Sequence, residues 1–174
     1  MNGYLLIAII FMILAILALI FFGSLSKLKK YKEKMDKIEG IIDENLNKKL
    51  DLIISINGDV KKVTGKKDYL KDYVSIRDLI ITNIEKDLKL DEAIKLINDL
   101  MQDFEELNND ENFIKNINEL RKIDEVLVSA KNMFNQNAIL SNQLIKNFPN
   151  NLVAKTIKLK IRSFYNNNKV DEQF

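Results

Sequence analysis

The sequence predicts an all-α protein: a single amino-terminal transmembrane helix followed by an antiparallel up-and-down bundle of three or four long helices. Three observations carry that expectation. Residues 4–22 contain no charged side chain and are almost wholly apolar. From residue 24 onward apolar residues recur every three or four positions, the period of one helix face. Only the short Ile157–Arg162 stretch alternates at the period of a strand.

The run from Tyr4 to Phe22 spans roughly 28 Å as a helix, close to the hydrocarbon thickness of a bilayer. A cleaved signal peptide would have a basic start, a shorter apolar core and a small-residue cleavage site. Here only Asn2 and Gly3 follow Met1, and Gly23-Ser24-Leu25-Ser26 matches such a site poorly. An uncleaved anchor is therefore expected. Lys27, Lys29, Lys30, Lys32, Lys34 and Lys37 crowd its carboxyl-terminal flank, with no charged side chain on the other. The positive-inside rule then predicts a single-pass protein of the cell membrane, amino terminus outside and carboxyl-terminal part cytoplasmic. Lys27, Lys29, Lys30 and Lys32 are also candidates for facing anionic lipid, although a topology signal explains them without it.

Leu28, Tyr31, Met35, Ile38 and Ile42 step 3, 4, 3, 4, and Leu46 to Val60 continue the stripe. One helix over about residues 24–63 accounts for them, with Gly58 and Gly65 weakening its end. A second apolar face runs from Tyr69 to Leu88. Asp91 is the expected N-cap of a further helix carrying Ile94, Ile97 and Met101, or else one helix bends near residue 90. Residues 108–112 read as a loop. Phe113 to Phe148 then form a long helix that Pro149 stops. The coiled-coil-like stepping reads as bundle core. The organisation expected is residues 1–23 as outer terminus and span, 24–150 as bundle, and 151–174 as a basic, apolar tail.

Composition excludes much chemistry. The chain has no His and no Cys, hence no His-based triad, no ordinary zinc site and no disulfide. No phosphate-cradling loop fits either, because six residues separate Gly58 from Gly65 where the Walker pattern has four. Lys outnumbers Arg 24 to 3 among the 27 basic residues, so the forked contacts that read bases are scarce and nucleic acid is not an expected partner. Ser24-Leu25-Ser26-Lys27 has the Ser-x-x-Lys spacing of a nucleophile but none of its companion motifs.

Acidic residues gather between Glu85 and Glu125. Asp99, Asp103, Glu106 and Asp110 step 4, 3, 4, which predicts one acidic helix face, a candidate partner surface or simply a solvated one. Asn108, Asp110, Asn112, Asn116 and Glu119 mimic the ligand positions of a calcium loop. Phe113 occupies the position that needs Gly, so a helix cap is the better reading and no metal or cofactor is expected. The tail from Leu152 to Tyr165 is expected to cover an end of the bundle, with a lipid or partner surface as the other reading.

Several stretches together resemble the LemA family, bacterial proteins with one membrane helix and a helical bundle. They are Ile42-Asp43, Leu46, Lys49, Asp51-Leu52-Ile53 and Val60-Lys61 in the first helix; Glu111-Asn112-Phe113 and Leu120; Phe148-Pro149 with Leu152-Val153-Ala154; and Arg162 before Phe164-Tyr165. Ile54 stands where the family usually has Pro, predicting a straighter first helix, and Lys49 replaces an Arg. The resemblance implies an anchored bundle and brings no catalytic residues.

The function expected is a non-enzymatic interaction or scaffold protein at the cytoplasmic membrane face, with membrane lipids and an unidentified protein as partners. A lipid-binding or membrane-shaping protein is the alternative, and an enzyme built on carboxylates comes third. The span carries Ala8, Ala15 and Ala18 without G-x-x-x-G, which leaves homo-oligomerisation open.

Overall fold

The computed structural model describes residues 3–65 and 67–165. The described chain is helical throughout and contains no strand. The elements are α1 (Gly3–Val63), α2 (Lys71–Val74), a 3-10 turn (Ser75–Asp78), α3 (Asn83–Asp103), a second 3-10 turn (Glu105–Asn109), α4 (Glu111–Lys146) and α5 (Asn150–Thr156).

The apolar amino-terminal run and the first amphipathic run are one unbroken helix, α1, 61 residues long. Ile54, which can donate the backbone hydrogen bond that Pro cannot, lies within it. Its end is set by Thr64 and Gly65. The Thr64 backbone N–H and hydroxyl both donate to the Val60 carbonyl, and Gly65 takes the left-handed φ of 74° that a side chain would strain.

The second apolar run departs from expectation. Instead of a helix from Tyr69, the chain makes two short turns and then extends through Leu79 to Ile81, where β-branched residues are poor helix formers. Asp91 is not an N-cap but an interior residue of α3. The cap is Thr82, whose hydroxyl accepts from the Glu85 N–H while the Glu85 carboxylate accepts from the Thr82 N–H, a reciprocal capping box. There is no bend at residue 90: α3 runs unbroken from Asn83 to Asp103. Asp110 starts α4, accepting from the Phe113 N–H at 2.9 Å. Residues 157–162 form no strand.

The chain divides into two compact units. The larger is made of Glu39–Asn132 with Tyr165–Phe174. Its core holds Ile42, Leu46, Ile53 and Ile56 of α1, Leu90, Ala93 and Ile97 of α3, and Phe113, Leu120 and Leu127 of α4, all nearly or fully buried. On α1 and α4 these are the positions the 3–4 spacing selects, whereas on α3 only Ile97 of the expected series is buried, Leu88 is exposed, and Leu90 and Ala93 take the core.

The other unit comprises Met1–Ile38 with Met133–Phe164. Here Leu28, Val153 and Ala154 form a buried cluster, packed by Leu25, Leu144, Ile145, Ile157 and Leu159. The turn leaving α5 is closed by Leu159 N–H to the Ala154 carbonyl and Lys158 N–H to the Lys155 carbonyl, with Lys158 at φ 52°. That is the Schellman arrangement, with a Lys where Gly is usual. Leu159 packs against the cluster that contains Ala154, the apolar contact that customarily accompanies this turn.

Candidate functional site

Two places concentrate chemistry, and each lies within one unit. The first is a set of charges inside the helical core of the larger unit. Lys49 of α1 is fully buried, and its ammonium lies 2.6 Å from the Asp91 carboxylate of α3 and 2.7 Å from that of Asp124 on α4. One side chain therefore joins three helices. Lys131 of α4 lies 2.9 and 3.1 Å from the two carboxylate oxygens of Asp87 on α3, both residues almost completely buried. Asn116 of α4 donates to Ser55 at 2.9 Å and to Asp59 at 3.1 Å, both on α1.

Burial and pairing act on these groups in opposite directions. Burial pulls the Lys49 pKa down, but Asp124 and Asp91 more than offset it and hold the ammonium above its ordinary 10.5. Burial pushes the Asp87 carboxyl above its ordinary 3.8, and Lys131 offsets only part of that. Tyr165, 2 % exposed, is pushed up to about 12 by burial and by the charge of Glu39, against a hydrogen bond with the Asn83 side chain. A lysine held charged between two carboxylates is a poor nucleophile. A one-residue slip of α1, α3 or α4 against the others would strand one of these charges in the core.

The sequence carried a signal for these residues that hydrophobic spacing alone passes over. Lys49, Asp87 and Lys131 sit on the apolar stripes of their own helices, Lys49 three residues from Leu46 and Lys131 three from Phe134. A charged residue on a core stripe implies a buried partner.

The second place is the amino-terminal helix and its carboxyl-terminal neighbours in the smaller unit. Tyr4 is 88 % and Phe22 65 % exposed, and every residue between them is exposed. This is one helix long and apolar enough to cross a membrane. The first buried residue along it is Ser24. Lys27, Lys29 and Lys30 are exposed, whereas Lys32 pairs with Asp36 at 2.7 Å. Asp36 also takes the Arg162 guanidinium at 2.6 Å. Asn142 holds the Arg162 backbone from both sides, accepting from its N–H and donating to its carbonyl, each at 2.9 Å.

The expected acidic face is not one face. Asp99 and Asp103 are exposed on α3, but the helix ends at Asp103, so Glu106 falls in the 3-10 turn and Asp110 serves as the α4 cap. Asn108 donates to the Met101 carbonyl and Asn116 to α1, which spends two positions of the calcium-like pattern on packing. Among the described residues no group of three or more Asp or Glu is placed to hold a metal ion.

An all-helical chain with a long, bare apolar helix at its start and with ion pairs buried in its helical core defines a class of small helical proteins. The chain belongs to the LemA family, whose model matches residues 39–173. No curated protein and no solved structure matches it. About half of the residues that carry the resemblance are structural. Ile42, Leu46, Lys49, Ile53, Val60, Phe113, Leu120, Val153, Ala154 and Tyr165 are all buried.

Proposed function

We propose that this protein is a single-pass membrane protein whose apolar Tyr4–Phe22 segment anchors a cytoplasmic, antiparallel helical bundle acting as a non-enzymatic interaction protein. The observation that carries the reading is the continuity of α1. An apolar stretch of bilayer length with nothing packed on it passes without a break into the stripe that builds the helical core. The lysine-rich flank from Lys27 to Lys37 supports the cytoplasmic side.

The interaction role is supported by α4. Val126, Val128, Met133 and Leu140 along it are each about half exposed, apolar side chains that packing within the chain leaves uncovered. Photo-cross-linking in cells tests the role, with probes at single exposed positions between Lys115 and Lys146 of the full-length protein. The expected result is a reproducible protein neighbour. Cross-links only to lipid and to other copies of the chain would overturn it.

A further inference from the structure

The smaller unit carries an apolar and basic corner beside the end of the span. Leu25 lies three residues after Phe22, about 4.5 Å further along the helix axis, and Leu28 about 9 Å. Leu28 forms a buried cluster with Val153 and Ala154 of α5, and Leu25 packs against that cluster together with Leu144 and Ile145 from the last turn of α4. The corner joining α4 to α5 is thus tied to the first turns of α1 beyond its apolar segment. Two large apolar side chains on it face away from that packing: Phe148 is 79 % exposed and Leu152 54 %.

The stretch of chain that carries them has charge of one sign. Between Met133 and Phe164 there are five basic residues and no acidic one. Lys146 ends α4 and Lys155 lies one turn beyond Leu152 on α5, both exposed. Lys27, Lys29 and Lys30 lie on the same stretch of α1. Exposed aromatic and aliphatic side chains among lysines are the composition of a surface that enters the headgroup layer, the apolar groups reaching the acyl boundary and the ammonium groups staying at the phosphates.

We infer that the α4–α5 corner is a second membrane contact, with Phe148 and Leu152 inserted into the interface of the bilayer that α1 crosses and Lys146 and Lys155 on its anionic headgroups. The inference rests on α1 spanning the membrane and is independent of which leaflet the corner meets. A span alone is one attachment about which a helix can tilt and spin. A second contact held to it by the Leu28, Val153 and Ala154 cluster would fix both tilt and rotation.

The absence of cysteine makes a single label simple. Full-length protein carrying Phe148→Cys, Leu152→Cys, Ile13→Cys or Glu119→Cys is labelled with an environment-sensitive fluorophore. It is then reconstituted into vesicles containing nitroxide lipids, with or without about one-third phosphatidylglycerol. The labels at 148 and 152 should be quenched by headgroup-level nitroxides several-fold more than the label at 119, and more so with phosphatidylglycerol. Adding Lys146→Gln and Lys155→Gln should remove the phosphatidylglycerol-dependent part. A label at 148 as water-exposed as that at 119, with the label at 13 quenched by deep nitroxides, would overturn the corner and leave the span standing. An unquenched label at 13 would overturn the span and the corner with it.

Discussion

Lys49, Asp87 and Lys131 show how burial decides what a charge is worth. The carboxylates that hold Lys49 keep part of their exposure, 48 % for Asp91 and 37 % for Asp124, so losing the lysine returns them to water. Asp87 has only 3 % of its side chain exposed and depends on Lys131. Lys131→Met should therefore cost about 3–5 kcal/mol, and Lys49→Met less, about 1–3 kcal/mol. Adding Asp87→Leu to Lys131→Met should restore much of the loss, because the stranded charge goes with it. Urea denaturation of the three variants checks the order, and a larger loss for Lys49→Met would contradict it.

The same groups set an alkaline limit. Lys49 has a raised pKa, so its stabilisation is complete below 10.5 and is lost as pH rises through the folded value. Tyr165 is favoured neutral, a contribution complete below its ordinary 10.0 and lost as pH climbs toward about 12. Stability should fall above about pH 10, and Tyr165→Phe should make that fall shallower. An unchanged alkaline slope in Tyr165→Phe would show that the phenol plays no part.

At the level of elements, the long helices were legible and the joints between them were not. The 3–4 spacing from Leu28 to Val60 and from Phe113 onward picks out the buried faces of α1 and α4, because one apolar stripe per helix is what packing demands. The misreading of residues 69–91 has a local cause. Tyr69, Tyr73, Ile76, Ile80, Ile84 and Leu88 have helical spacing, yet Thr82-x-x-Glu85 caps a helix inside that series and Ile80 is left fully exposed. The acidic series failed in the same way. Spacing assumed a helix through residue 110, and the break after Asp103 lies in backbone conformation that side-chain periodicity does not report. The buried ion pairs were harder still, since the partners are 42 and 44 residues apart in the chain and only packing brings them together.

Two substitutions test the joints. Thr82→Ala removes an N-cap and should cost about 1 kcal/mol, with loss concentrated in the first turn of α3 by hydrogen exchange. Lys158→Gly relieves a left-handed side chain and should stabilise the protein by about 0.5–1 kcal/mol. Destabilisation by Lys158→Gly would mean that the Schellman turn after α5 does not form.

For the whole molecule, one continuous helix carries two patterns. Residues 4–22 of α1 are apolar all round and suit lipid, whereas from Leu28 the same helix is apolar on one stripe and charged elsewhere, which suits a core on one side and water on the other. The change of pattern occurs within about two turns, at Gly23 to Lys30. Charged substitutions should divide accordingly. Ile13→Lys places an ammonium where the proposed span lies deepest and should cost the protein its membrane association, while Lys to Glu changes on the exposed face beyond Ile42 should leave it attached. Fractionation of membranes separates the two results.

The most direct test of the anchored, inward-facing arrangement is the accessibility of one cysteine at Glu119, an exposed position on α4. In intact cells expressing full-length Glu119→Cys, a membrane-impermeant maleimide should leave it unlabelled, and permeabilising the cell membrane should expose it. The protein should stay with the membrane fraction through washes with salt and carbonate. Labelling in intact cells would place the helical part outside, and release by those washes would remove α1 as an anchor.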